Sequence, residues 1–319
     1  MDAAQFLEVF MLHLDGDALV YIAGFAADSR NGNISHSLFN IKLMIHKALR
    51  ETKQTEFKVF LTSKNPAVNF RTTLLKSYKG NRIKTCRKCG GTDLTKESYV
   101  DRILMPNGET MKRRFFHCKN CSEPVPDSKP VYYNKIRKYL LTRFKAEVCK
   151  WGEADDWLGV GLKSKDFIAT HDKDIYQIGK MNFYNLKSGE LLSIKDSLGK
   201  IWVKETQMNN RAGEPQFNKN GTPKLRKEIK GYGFKWFCVQ MIMGDKVDNI
   251  VKPVSGDGPV FINKLWDPLI TMKESWKMVE FYYNNTGNSD KLWDMAKLLW
   301  VSRKAEQICS PEVIRKMID

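Results

Sequence analysis

Four groups of acidic residues stand close together along the chain. They are Asp15 with Asp17, Glu153 with Asp155 and Asp156, Asp172 with Asp174, and Asp245 with Asp248. Acids at helix starts are ordinary caps, and Glu153 with Asp156 at i, i+3 fits that pattern. Four groups are more than capping explains, because carboxylates brought together repel and are pushed toward protonation. Divalent cations relieve that repulsion, and all-oxygen ligand sets suit Mg²⁺ or Mn²⁺ rather than zinc. Two such ions about 3.5–4 Å apart would clamp the attacking and leaving oxygens of a phosphodiester. The chemistry to expect is hydrolytic phosphoryl transfer. A second constellation is sulfur-based. Cys86-Arg-Lys-Cys89 and Cys118-Lys-Asn-Cys121 are separated by 28 residues, and Gly90 and Gly91 follow the first pair. Two such knuckles present four thiolates to a tetrahedral Zn²⁺ and leave no open position, so this zinc is expected to be structural. The other three cysteines, Cys149, Cys238 and Cys309, lie in apolar runs and read as core thiols.

Elements must hold these groups in place. Val9–Leu14 reads as a buried strand that stops at Asp15, Phe57–Leu61 as a second and Phe167–Thr170 as a third, which exits into Asp172 and Asp174. Helices are expected over 37–50, through Leu38, Ile41, Ile45 and Leu49, over 132–148, and again just after Gly152. Strands alternating with helices predict an α/β fold with a mostly parallel sheet covered on both faces, whose functional groups collect at the carboxyl ends of the strands. Between the cysteine pairs, 97–100 and 113–117 read as short strands around a turn at 105–108. Residues 195–231 are polar and rich in turn signals, an excursion of hairpins or loop. From Phe234 the chain becomes helical, with helices over 235–243, from Pro259, and over 272–284 and 290–303.

The chain has 319 residues with 53 Lys and Arg against 36 Asp and Glu, a net charge of +17. Residues 61–150 hold 21 of the basic residues and 7 of the acidic ones, a net of +14, so the excess is one block. A block of this kind implies a polyanionic partner, because Lys and Arg displace counterions from phosphates. With 42% hydrophobic residues the chain is expected to fold, and no apolar run reaches the ~18 residues of a membrane span. Met1–Gln5 has no basic n-region, so a secretory signal is not expected and a cytoplasmic location is. Seven cysteines without a signal argue against a disulfide framework.

Glu153-Ala-Asp155-Asp156, Thr170-His-Asp172-Lys-Asp174-Ile-Tyr-Gln-Ile178, Tyr78-Lys79-Gly-Asn-Arg82 and Gly244-Asp245-Lys-Val-Asp248-Asn-Ile250 together resemble the signature of the 5′-nuclease (flap endonuclease) family, closest in flavour to the bacteriophage 5′→3′ exonucleases. The resemblance implies a PIN-like nuclease domain over 1–233 and a helix-three-turn-helix DNA-binding subdomain over 234–319. It also implies metal-site roles for Asp15, Glu153, Asp155, Asp156, Asp172, Asp174 and Asp248, with Asp17 and Asp245 as further members. Lys79 and Arg82 would meet the scissile phosphate, Arg71 would hold the backbone, and Tyr21 would stack on a terminal base. Gly256 and Gly258 would let backbone amides approach a duplex phosphate at a hairpin that also takes a monovalent cation such as K⁺. The implied activity is divalent-metal-dependent 5′→3′ exonuclease and flap endonuclease action on DNA with 5′ ends, flaps or nicks, with RNA:DNA hybrids as further substrates. A monomer is expected, with replication proteins as partners.

Three departures from the family pattern stand out. The second strand ends in Thr62-Ser63, where the family carries another Asp. Asp257 follows Gly256 where an apolar residue is usual. The zinc ribbon, 84–130, falls at the family's helical arch, where Arg87, Lys88, Lys112, Arg113 and Arg114 would line a substrate path. Two other readings stay open: a non-catalytic zinc-ribbon DNA-binding protein, with Ser63 as a mark of decay, and a PIN-type ribonuclease. His171, within the third motif, is expected to be structural.

Overall fold

The computed structural model describes residues 10–79, 84–95, 97–105, 108–210, 213–250 and 258–319. In chain order the elements begin with β1 (Met11–Asp15), α1 (Gly16–Ser29), α2 (Ile34–Thr52), β2 (Glu56–Leu61) and α3 (Phe70–Leu74). The cysteine-bearing segment supplies β3 (Tyr99–Leu104), β4 (Thr110–His117) and β5 (Pro124–Pro126). There follow α4 (Tyr133–Arg143), β6 (Glu147–Val148), α5 (Ala154–Leu158), β7 (Phe167–Thr170), β8 (Asn182–Asn185) and β9 (Leu191–Ser193). A long hairpin, β10 (Lys200–Gln207) and β11 (Leu225–Tyr232), leads into α6 (Gly233–Met243). The chain closes with α7 (Pro259–Trp266), α8 (Met272–Asn285), α9 (Leu292–Leu299) and α10 (Pro311–Ile318). Among the described residues, no helix is long and apolar enough to cross a membrane.

The main sheet runs in the order β6-β2-β1-β7-β8-β9, parallel except for β9, which pairs antiparallel with β8. β1 is buried on both faces, as a central parallel strand must be. Leu12 and Leu14 pack with Ile41, Ile45, Ile136 and Leu140 beneath α1, α2 and α4, all almost fully buried. Phe60, Ile168, Phe183 and Leu158 fill the opposite face. His13 points to that side, where its Nδ1 bonds the Leu158 carbonyl at 2.9 Å and burial lowers its pKa, so it is a neutral core residue. From β1 the chain winds outward through β2 and β6 and then returns to β7 on the other flank. The sheet therefore has a topological switch point between β1 and β7, where open α/β sheets leave a crevice at the carboxyl ends of the strands. Asp15 ends β1, and Asp172 follows β7.

Two expected helices are shorter than their periodicity predicts. The helix over 132–148 stops at Arg143: Lys145 takes a left-handed φ of 50°, and Glu147 and Val148 instead extend the sheet beside Phe60 and Leu61. Edge pairing outweighs the apolar spacing there, since a strand end without a neighbour leaves backbone groups unpaired. The helix over 290–303 is confined to Leu292–Leu299 after a short 3-10 turn at Ser289–Lys291. Its end is fixed by Arg71, whose Nε donates to the Leu298 carbonyl at 2.9 Å and whose Nη2 donates to that of Trp300 at 2.5 Å.

A second large core gathers Phe234, Phe237, Trp266, Trp276, Tyr283 and Trp300. Ile201 and Ile229, from the root of the β10–β11 hairpin, belong to it. The polar excursion expected over 195–231 is thus an antiparallel hairpin rooted among the C-terminal helices. Gly199 and Gly233 make that root possible, because a Cβ on Gly199 would lie 1.9 Å from the Tyr232 carbonyl oxygen.

Candidate active site

A cleft of about 1250 Å³ opens at the carboxyl ends of β1, β2 and β7. Asp15, Asp17, Asp155, Asp172, Asp174, Asp245, Asp248 and Glu153 line it, together with Lys79, Tyr78 and Tyr21. The four acidic groups, spread over more than 230 positions of sequence, meet in one place. Asp15 caps α1, accepting from the Ala18 N–H at 2.8 Å, and its other oxygen accepts from the Thr170 hydroxyl at 2.7 Å. That same hydroxyl accepts from the Asp172 N–H at 3.1 Å, and Asp172 in turn accepts from the Asp174 N–H at 2.9 Å. The switch point is thereby stitched across its two strands. Gln240, from α6, donates to Asp174 at 2.6 Å.

The electrostatics are those of carboxylates with too little positive charge nearby. Burial, and then Asp17, push Asp15 up to about 7. Burial and Asp172 do the same to Asp174, also to about 7. Asp155 is pushed well above its ordinary range by burial, Asp15 and Asp172. This donor set fits divalent cations, because Asp15, Asp155 and Asp174 are raised by burial and by neighbouring acids, and added positive charge removes that cost. Asp248 and Glu153 form a separate corner. The Tyr78 hydroxyl donates to Asp248 at 3.0 Å and to Glu153 at 3.1 Å, while the Lys79 ammonium lies 2.5 Å from Glu153 and 3.7 Å from Asp248. Burial would raise Glu153, but Lys79 and Arg71 hold it below the usual range. Asn69 adds a bond to Glu153 at 3.1 Å. Lys79 takes a left-handed φ of 55°, and its N–H bonds the Asp248 carbonyl at 2.9 Å. That conformation is unfavourable for a lysine and is held by the contacts around it.

Several expected roles are corrected. Asp156 is fully buried and does not line the cleft: Arg71 grips it through two bonds of 2.5 and 2.9 Å. It also accepts from the Glu153 N–H at 2.9 Å and from the Ser302 hydroxyl at 3.3 Å. Gly152 leaves room for it, since a Cβ there would meet Asp156 Oδ2 at 2.4 Å. Arg71, expected to hold a nucleic-acid backbone, is only 4% exposed and is an internal anchor. Asp17 lines the cleft but is bound to Arg137 at 2.6 Å and to the Thr62 N–H at 3.0 Å, so it braces β2 rather than replacing the acid missing at Ser63. Arg114 pairs with the buried Asp127, which Lys84 also holds at 2.7 Å, and Lys112 reaches the Gly32 carbonyl at 3.3 Å. Lys112 thus ties the cysteine-bearing sheet to the end of α1, while Arg114 is held by an acid of its own segment. Arg113 lies one position over, on the other face of β4. Tyr21 sits in the cleft wall against Tyr133 and Phe25, at ring separations of 5.6 and 6.0 Å. Gly258 is the N-cap of α7. Arg82 and Gly256 lie outside the described residues.

The sequence reading passed over Arg137, Asn69 and Gln240, the polar groups that brace the acids. Thr170 and Tyr78 stood inside the quoted motifs, beside residues that drew attention for their charge.

The four cysteines form the second site. Cys86, Cys89, Cys118 and Cys121 bring their sulfurs within 4.8 Å of one another, a set that could hold one ion. Among the described residues, no other group of three or more His, Cys, Asp or Glu donors is drawn so close. The two knuckles share one geometry. Gly90 takes a φ of 72° and its N–H bonds the Cys86 carbonyl, while Ser122 takes a φ of 60° and bonds the Cys118 carbonyl. The N–H groups of Cys89 and Lys88 bring the Cys86 thiol down to about 7, favouring the thiolate a metal needs.

No protein-family model matches the chain, and no curated protein matches it either. Among solved structures, the T5 D15 protein co-crystallised with metal ions matches over 97% of this chain and 96% of that one, at 12% identity and a TM-score of 0.42.

Proposed function

We propose that this chain is a divalent-metal-dependent nuclease whose active site is the cleft at the β1–β7 switch point. The observation that supports it above all is the crowding of Asp15, Asp155, Asp172 and Asp174 at that point, where burial and the Asp172 charge raise the other three. Asp15, Asp155, Asp172, Asp174 and Asp248 would hold two Mg²⁺ or Mn²⁺ ions, with Asp245 and Glu153 at the margin. The ions would supply activation of water and neutralisation of the phosphoryl oxygens. The chain's own residues do the rest. Lys79, which lines the cleft and is paired there with Glu153 and Asp248, would supply a fixed positive charge to the scissile phosphate. Arg82, three residues further, is proposed as its companion. Tyr78 stays protonated, because burial and Glu153 push its pKa well up, and so it remains a donor that fixes Glu153 and Asp248. Tyr21 offers a ring in the wall on which a base can stack.

The substrates proposed are DNA with 5′ ends, flaps or nicks, with RNA:DNA hybrids as further candidates, acted on as 5′→3′ exonuclease and flap endonuclease. The PIN-like domain would span 1–233, and 234–319 would form the helix-three-turn-helix subdomain, with K⁺ at its hairpin. A monomer, replication-protein partners and a cytoplasmic location complete the proposal. The test is a 5′-labelled flap and a nicked duplex incubated with Mg²⁺, Mn²⁺ or EDTA. Cleavage is expected with either metal and none with EDTA. Tight binding without any cleavage would favour the non-catalytic DNA-binding reading, and cleavage of RNA alone the ribonuclease.

The cysteine-bearing segment is proposed as a structural zinc ribbon. Among the described residues its core is Val125, Cys86 and Cys118 with Leu94 and Cys121 packed against them, too small to hold three strands together unaided. The purified protein should carry one zinc per chain. Cobalt substitution should give the thiolate charge-transfer absorption of a tetrahedral tetrathiolate site. Cys118→Ser should remove the metal and expose 84–130 to proteolysis, while the main sheet stays protected. A metal-free wild type with an equally protected ribbon would reject the assignment.

A further inference from the structure

The β10–β11 hairpin has no part in the chemistry described so far, yet its two faces differ. One face carries Ile201, Val203 and Ile229 and is rooted on α6 and α7. The other carries Lys200, Trp202, Lys204, Arg226, Lys230 and a single acid, Glu228. Glu228 is bound by both Arg226 and Lys230, so the face retains a net positive charge. Residues 195–231 as a whole contain nine Lys and Arg against four Asp and Glu. Trp202 is 40% exposed and lies edge-on to Tyr232 at 6.1 Å. Lys200, Lys204 and Arg226 are exposed.

The position of this face relative to the cleft gives it meaning. Lys173, between two acids of the proposed metal site, lines the cleft and stands 5.6 Å from the ring of Trp236. Trp236 packs on the apolar face of the hairpin root, where a Cβ on Gly231 would meet its ring at 3.1 Å. β11 packs against the 3-10 turn Asp174–Ile178 that directly follows Lys173, and this brings Lys230, on the basic face, close enough to feel the Lys173 charge. Lys173, Lys230, Lys200 and Lys204 thus continue the cleft mouth as a strip of positive charge along a rigid hairpin. We propose that this strip is a nucleic-acid-binding wing, which grips the phosphate backbone of a duplex whose end occupies the cleft.

The wing rests on the nuclease reading, and the test separates the two. Lys200→Gln, Lys204→Gln and Arg226→Gln are combined in one variant. A control, Lys42→Gln, Lys47→Gln and Lys163→Gln, removes the same charge from exposed sites on α2 and ahead of β7. Binding of a fluorescent flap duplex is measured in EDTA across a salt series, and thermal unfolding checks that both variants fold. Each phosphate contact contributes about 0.9 to the slope of log affinity against log salt. The wing variant is expected to lose about 2–3 from that slope and at least about tenfold in affinity near physiological salt, with the control close to wild type. Wild-type slope and affinity in the wing variant, or an equal loss in the control, would overturn the wing while leaving the nuclease reading intact. A wild type that binds no nucleic acid in this series overturns the wing, and whether it still cleaves with Mg²⁺ decides the nuclease reading separately.

Discussion

Asp155→Asn is expected to abolish metal-dependent cleavage while making the metal-free protein more stable. The two effects have one cause. Asp155 faces the cleft at the start of α5, where burial and the charges of Asp15, Asp172 and Glu153 oppose its ionisation. Two divalent ions would repay that repulsion, and their absence leaves it in the folded state alone. An amide of the same shape keeps the packing and removes one charge. Activity should fall by about 10²-fold or more, since a lost ligand both weakens ion affinity and misplaces what the ion orients. Stability without metal should rise by an amount on the order of 1–2 kcal/mol, a few °C for a chain of this size. The pH dependence carries the sign. Asp15 and Asp174 titrate near 7 when folded, against about 4 when unfolded, so the folded state binds more protons in that interval and stability falls as pH rises through it. The advantage of the Asn variant should be greatest above pH 7 and shrink toward pH 5. Thermal scans of both proteins in EDTA at several pH values, with cleavage assays alongside, check this. A variant less stable than wild type at pH 8 would show that Asp155 is a structural acid.

Arg71 should behave in the opposite way. Its guanidinium is buried, and although burial works against its charge, Asp156 outweighs it and holds Arg71 firmly protonated. Removing it leaves the Asp156 carboxylate without a counter-charge at full burial and leaves the Leu298 and Trp300 carbonyls without a donor. Breaking such a pair costs about 3–5 kcal/mol, which for Arg71→Ala amounts to a fall in Tm on the order of 10 °C. Arg71→Lys should recover little, because an ammonium cannot make the paired bonds to Asp156 and reach both carbonyls. Arg71→Met combined with Asp156→Leu should lose less than the sum of the single changes, since no charge is then stranded. Thermal unfolding of the four proteins measures the coupling. A Tm within 2 °C of wild type for Arg71→Ala, with weaker nucleic-acid binding, would return Arg71 to the substrate.

The three buried strands of the sheet and the meeting of the acidic groups were legible because both follow from local patterns: apolar runs that end in acids. The cysteine spacing was legible for the same reason. What the sequence concealed was which acids were already satisfied. Asp155 and Asp156 are neighbours of the same type, and about 100° of rotation round the helix separates an open carboxylate from a neutralised one. That difference depends on Arg71, from α3, and on Ser302, from the C-terminal segment, both distant in sequence. Arg113 and Arg114 divide the same way, because alternate residues of a strand face opposite sides, and only the docking of β4 decides which side is covered. Helix ends were misjudged where tertiary partners intervene, at Arg143 by the edge of the sheet and at Leu299 by the Arg71 guanidinium.

The long-range anchoring of Asp156 also orders events in time. The Ser302 partner lies 146 residues after Asp156, so at synthesis rates of about 5–20 residues per second it leaves the ribosome about 7–30 s later. Through most of that interval the nascent chain contains Asp15, Asp155, Asp172 and Asp174 but lacks the Leu298–Ser302 segment that seats the α5 start.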